Sequence, residues 1–175
     1  MVIHADVLGH EVLAPGGEAF DAVVKEFGPE VMDGTGAIDR KALAARVFGD
    51  PARLEVLNRL VHPAVWTREE RMMQAFAERQ PDGIAVVEAA ILIETGSYKR
   101  FDKMVLVVCD EEQQVRRAVK RDGISEADVR ARLCNQMPVA EKRKYADFVI
   151  DTSGEKAETL AQAHRVWEAL RRIAK

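Results

Sequence analysis

Apolar positions in the first half of the chain recur at helical spacing. Phe20, Val23, Val24 and Phe27 stand at i, i+3, i+4 and i+7 and predict an amphipathic helix, with Gly28 as its left-handed cap. Before it, Val2 and Ile3 read as the tail of a strand. Asp6 can open a short helix carrying Val7, Leu8 and Val12, which Ala14-Pro15-Gly16-Gly17 ends. A turn at Asp33-Gly34-Thr35-Gly36 leads to Asp39, a cap for a helix with Leu43 and Val47. Asp50-Pro51 starts another with Leu54, Leu57 and Leu60, and His62-Pro63 begins a separate long one through Met72, Met73 and Phe76.

The period changes after Pro81-Asp82-Gly83. Ile84-Ala85-Val86-Val87 is a continuous apolar run of the kind buried on both faces of a parallel sheet, and Met104 to Val108 repeats it. Asp110 caps a helix running to about Arg121, Ser125 with Asp128 forms a capping box for the next, and Pro138 opens a third. Phe148-Val149-Ile150 is a short strand. Beyond the turn Asp151-Thr152-Ser153-Gly154 lies a last helix, with Leu160, Ala163, Trp167 and Leu170 expected to face inward. Strands alternating with helices predict an α/β fold: a doubly wound parallel sheet with helices on both faces and right-handed crossovers. At 175 residues the chain suits one domain, 1–175.

Composition narrows the class. Of the residues 47% are hydrophobic and 31% charged, and no run approaches the ~18–20 apolar residues that span a bilayer. The start, Met1 to Asp6, lacks the basic region and apolar core of a secretory signal, so no membrane partner is predicted. Cys109 and Cys134 form neither a disulfide framework nor a zinc motif, and a reducing cytoplasm is the expected setting. A net charge of −3 does not predict a nucleic-acid binder. Yet Arg116, Arg117, Lys120, Arg121, Arg130, Arg132, Lys142, Arg143 and Lys144 make one third basic. That third suits a small anionic ligand, or is a solvated helix face.

In open parallel sheets, ligands bind beyond the carboxyl ends of the strands. Here Ile3 leads to His4-Ala5-Asp6, Val87 leads to Glu88 and then Glu94, and Ile150 leads to the Asp151 turn. A carboxylate just past a strand, kept ionised by a helix start, can accept a proton from a substrate hydroxyl; for Asp6 the alternative is an N-cap. Arg117 and Arg121 project from one helix face, followed by Asp122-Gly123. Their guanidinium forks suit phosphoryl transfer, or they pair on the surface with Glu111, Glu112 or Asp122. Neither His4 with His10 nor the isolated His62 and His164 give metal-ligand spacing, so no metal site is predicted.

Several pieces, in their order and spacing, carry a resemblance. They are Asp39-Arg40-x-x-Leu43, Asp50-Pro51, His62-Pro63, Gln114-x-x-Arg117-x-x-x-Arg121-Asp122-Gly123, Gln136, and Ala146-Asp147-x-Val149-Ile150-Asp151. Over essentially the whole chain the sequence resembles dephospho-CoA kinases, relatives in fold of the nucleoside-monophosphate kinases. The resemblance implies transfer of the γ-phosphate of ATP, with Mg2+, to the 3′-hydroxyl of dephospho-CoA, the last step of coenzyme A synthesis. It implies that Asp6 is the base and that Arg121 reaches the transferring phosphoryl group. Arg117, Arg121, Lys142, Thr152 and Gly154 would serve ATP; Asp6, Arg40, His62 and Glu94 would serve the acceptor. A helical region at about 21–79 would hold that acceptor, and a lid would span about 122–138.

Departures from the pattern are equally visible. Family members commonly read Asp-Ala-Asp where His4-Ala5-Asp6 stands, and often carry Asn at the place of Thr152. The G-x-x-x-x-G-K-[ST] loop that cradles phosphates is not in the sequence, and neither Gly34-Thr35-Gly36 nor Pro15-Gly16-Gly17 replaces it. The expectation is therefore a kinase fold lacking its first central strand, from a reading frame that starts late. Upstream in-frame codons would supply the loop, and the 175 residues alone would be inactive. Alternatives are a non-catalytic CoA- or nucleotide-binding relative, or a nucleoside-monophosphate-type kinase for another small acceptor.

Overall fold

Strand β1 (Val2–His4) runs parallel to β2 (Val86–Glu88), pairing Val2 with Val86, Ile3 with Val87 and His4 with Glu88. The chain between them is helical: α1 (Ala5–Glu11), α2 (Phe20–Phe27), α3 (Arg40–Val47) and α4 (Pro51–Arg79). These elements form one compact unit, Met1–Ala90; Ile91–Lys175 form a second. The computed structural model describes residues 1–174.

Local chemistry sets the helix starts. Asp39 accepts the backbone N–H groups of Lys41 and Ala42, and Asp50 those of Ala52 and Arg53, so two orphan donors at each start are satisfied. Helix α1 begins at Ala5 with His4 in the cap position, which places Asp6 in the first turn. Gly28 ends α2 at φ 87°, a backbone conformation that disfavours any side chain. Ile3, Leu8, Val12, Val23, Phe27, Val31, Leu43 and Val65 meet in the core of this unit. Burial of each such side chain contributes roughly 1.5–3 kcal/mol before entropy is counted. Arg68 on α4 reaches Glu11 on α1 and Glu18 ahead of α2, tying the helices at their rim.

Two expectations fail here. The helices starting at Asp50-Pro51 and His62-Pro63 are one continuous helix of 29 residues, with Pro63 inside it. Packing of α1, α2 and α3 along α4 holds the backbone helical although Pro63 cannot donate to the preceding turn. The strand Val86–Glu88 is also not buried on both faces: Ile3 is in the core, whereas Val2 and Val86 face outward, 57% and 43% exposed.

In the second unit β3 (Val105–Val108) runs parallel to β4 (Phe148–Asp151). Asp147 fixes their register by accepting from the Met104 N–H and pairing with Lys103. Leu106 and Val108 are buried and Val107 is 60% exposed, so this ribbon too has one open face. Among the described residues the strands make two two-stranded parallel ladders, β1-β2 and β3-β4.

Between β3 and β4 lie α5 (Glu111–Asp122), α6 (Glu126–Cys134) and α7 (Val139–Lys142). Asp110 and Ser125 cap the first two as expected, and Gly123 ends α5 in the left-handed conformation. Arg130 on α6 is caged by Glu111, Glu112 and Glu126, which joins α5 to α6 and raises the guanidinium's already high pKa further.

Helix α8 (Lys156–Ile173) is turned differently from expectation: Leu160 and Trp167 face outward, 58% and 44% exposed. Gln162 causes this, its amide donating to the Asp151 carbonyl and accepting from the Asp151 N–H, so that its own side of the helix faces β4. No helix among the described residues is long and apolar enough to cross a membrane.

Candidate active site

In the N-terminal unit, the polar residues just past β1 and at the end of β2 lie side by side. His4 and Glu88 are register partners, and the His4 Nδ1–H donates to Glu88 Oε2 at 2.7 Å. Asp6 follows in the first turn of α1, exposed, and makes no hydrogen bond or ion pair with any described residue. An unpartnered carboxylate at a strand's carboxyl end is free to accept a proton from a bound hydroxyl.

Arg40 is the exposed first residue of α3. His62 lies midway along α4, tilted against Trp66 with ring centroids 5.9 Å apart. Together with Glu55, Asn58, Arg59 and Pro63 these rings line an open groove of about 250 Å³ on α4. Burial lowers the His62 pKa, favouring the neutral imidazole. Asp6, Arg40 and His62 thus sit on three helices of one unit, with α1 and α3 both packed on α4; no hydrogen bond joins them.

In the C-terminal unit the structure does bring expected residues together. Arg117 donates to Thr152 Oγ1 at 3.1 Å and to the Thr152 carbonyl at 3.0 Å. Thr152 in turn donates from its hydroxyl to the Val108 carbonyl. One face of α5 therefore grips the turn after β4. The Asp110 N–H donates to Ser153 Oγ, the Gln113 amide to the Ser153 carbonyl, and Arg117 to Thr152. Asp110 and Gln113 were missed from the sequence as turn-holders. For Gln113 the available signal was its i, i+4 spacing with Arg117; Asp110 acts through its backbone N–H, which residue type does not signal. Within the turn the Ser153 hydroxyl, and after it the Ser153 N–H, hold Asp151's carboxyl below the ordinary carboxylate range.

Arg121 rests on its neighbour Asp122 through Nε and Nη2, at 2.6 and 3.0 Å, and is 77% exposed. The same pairing holds the Asp122 carboxyl below its usual value. Lys142 and Glu94 stand on each other at 2.8 Å with side chains only 10% and 20% exposed. Glu94 Oε1 also accepts the Met137 N–H, and Lys142 donates to Gln136 Oε1. Burial pushes Glu94's carboxyl up, but Lys142 and the backbone N–H of Met137 outweigh it and keep the group below its ordinary value.

The family model described as dephospho-CoA kinase matches residues 1–158. The chain belongs to the dephospho-CoA kinase family. A dephospho-CoA kinase of Aquifex aeolicus is 41% identical over 171 residues, 98% of this chain and 85% of that one. Among solved structures, a Thermus thermophilus protein superposes with a TM-score of 0.79 at 34% identity, covering 96% of this chain and 83% of its own. A dephospho-CoA kinase from Campylobacter jejuni shares the fold, with a TM-score of 0.69 at 24% identity, 99% of this chain and 86% of that one being covered. The α/β architecture with parallel strands agrees with these solved structures.

Proposed function

We propose that the chain serves the ATP-dependent phosphorylation of the 3′-hydroxyl of dephospho-CoA, which yields coenzyme A. The observation that carries this reading is the family match across residues 1–158, which includes the unpartnered Asp6 directly past β1. In this reading the acceptor lies against the helical region of about 21–79, with Arg40 and His62 shaping its site. Asp6 accepts the 3′-hydroxyl proton as that oxygen bonds to the γ-phosphorus, the bond to the bridging oxygen breaks, and ADP leaves. ATP enters as its magnesium complex, which neutralises charge on the β- and γ-phosphates.

Arg121, 77% exposed and paired with Asp122, would exchange that partner for the transferring phosphoryl oxygens. The segment of about 122–138, which follows Arg121, is the lid, and the Glu94–Lys142 pair roots its C-terminal end. The Arg117–Thr152 grip presents the turn through Gly154 to the nucleotide.

Because the sequence contains no G-x-x-x-x-G-K-[ST] loop, acceptor binding is the sharper assay. Calorimetric titration with dephospho-CoA is expected to show saturable one-to-one binding, stronger than that of a nucleoside monophosphate. Stronger binding of the monophosphate would favour the alternative acceptor class. Absence of dephospho-CoA binding would overturn the proposal. Incubation with magnesium-ATP then separates a catalyst, which forms coenzyme A, from a non-catalytic relative, which binds without turnover.

A further inference from the structure

Helix α4 carries a proline in its interior, and the residues around it form the wall of the groove. Glu55, Asn58, Arg59, His62, Pro63 and Trp66 fall at helical spacing on one side of α4 and line about 250 Å³. Pro63 has no N–H, so the Arg59 carbonyl lacks the donor that a helix supplies four residues on. Both residues line the groove, which sets this acceptor at its wall. Asn58, half-buried one turn before His62, makes no hydrogen bond with any described residue. The His62 and Trp66 rings, with centroids 5.9 Å apart, add flat apolar surface beside these two polar groups. Glu55 and Arg59 bring opposite charges, so the groove suits a neutral group better than a phosphate.

We infer that this groove is the subsite that reads the adenine base of dephospho-CoA. This deepens the dephospho-CoA reading and rests on it. The two rings take the face of the base, since every base has a π-surface that stacks on aromatic side chains. The exocyclic 6-amino group donates to the Arg59 carbonyl, and the Asn58 amide donates to the ring nitrogen beside it. A base with oxygen at position 6 would set carbonyl against carbonyl and leave both without a donor. The proline inside α4 then has a role in recognition: it frees a backbone acceptor that the N–H of any other residue would occupy.

The test compares dephospho-CoA with its hypoxanthine analogue, in which oxygen replaces the 6-amino group, by calorimetry on the full chain. The unsubstituted protein is expected to prefer the adenine form by roughly five- to tenfold, the size of one hydrogen bond. Pro63→Ala, which returns an N–H to the Arg59 carbonyl, should erase that preference while the chain stays folded, as its urea midpoint will show. Asn58→Ala should weaken binding of the adenine form several-fold. A Trp167→Phe chain keeps Trp66 as its one tryptophan. Dephospho-CoA should quench its fluorescence saturably, and 4′-phosphopantetheine, which lacks the base, should not. Equal affinity for the two analogues, an undiminished adenine preference in Pro63→Ala, or unmoved Trp66 fluorescence in a chain that binds dephospho-CoA would overturn the inference and leave the kinase reading standing. Stronger quenching by ATP than by dephospho-CoA would give the groove to the other nucleotide and overturn it as well. Failure of both analogues to bind would overturn the kinase reading and this inference with it.

Discussion

The Glu94–Lys142 pair is the most consequential side-chain contact in the C-terminal unit, because it joins the loop after β2 to the segment that follows α6. Removing one partner leaves a mostly buried charge without its counter-ion. Lys142→Met is expected to lower stability by about 2–3 kcal/mol in urea denaturation, below the ~3–5 kcal/mol of a fully buried pair because both groups keep some solvent contact. Glu94's folded pKa lies below the ordinary 4.5. Its stabilisation is therefore complete above that value and lost as pH falls through the lowered pKa. Compared with the unsubstituted chain, Glu94→Gln should be less stable at neutral pH, with the gap narrowing on acidification below 4.5; a constant gap would contradict this. Arg117→Ala removes both ties to Thr152, and hydrogen exchange at residues 152–154 should speed up several-fold while β3 stays protected. Legibility in the sequence was uneven at this scale. Arg117 and Thr152 were both picked out, each from its own motif. Their mutual contact was not legible, and neither was that of Glu94 with Lys142, since each pair is brought together only by folding.

Among elements, the sequence was most informative where structure is decided within a few residues. Asp39, Asp50, Asp110 and Ser125 cap the helices expected of them because a short side chain satisfies nearby backbone donors, whatever packs elsewhere. It was least informative where distant packing overrules local preference. A proline normally marks a boundary, yet α4 runs through Pro63. Pro63→Ala restores an N–H to the helix interior and should stabilise the chain by about 1–3 kcal/mol, read from the urea midpoint. An unchanged or lower midpoint would mean that the helix is already adapted to its proline. The α8 error is of the same kind: apolar spacing favoured Leu160 and Trp167 inward, but the two hydrogen bonds of Gln162 to Asp151 set the rotation.

For the molecule as a whole, the α/β class and parallel pairing were legible from the alternation of apolar runs and helices. The exposure of one face of each ladder was not, because apolar content does not reveal which strand faces lack cover. The family was legible from short motifs whose order matters more than any single piece, and residues 1–158 match its model. The residues expected at the site fall in two groups, Asp6, Arg40 and His62 in one unit, and Glu94, Arg117, Arg121, Lys142, Thr152 and Gly154 in the other. Both belong to a reading in which this chain receives dephospho-CoA. Calorimetric titration of the purified chain with dephospho-CoA tests it most directly. The prediction is one saturable site that prefers dephospho-CoA to a nucleoside monophosphate; no binding, or the reverse preference, would contradict it.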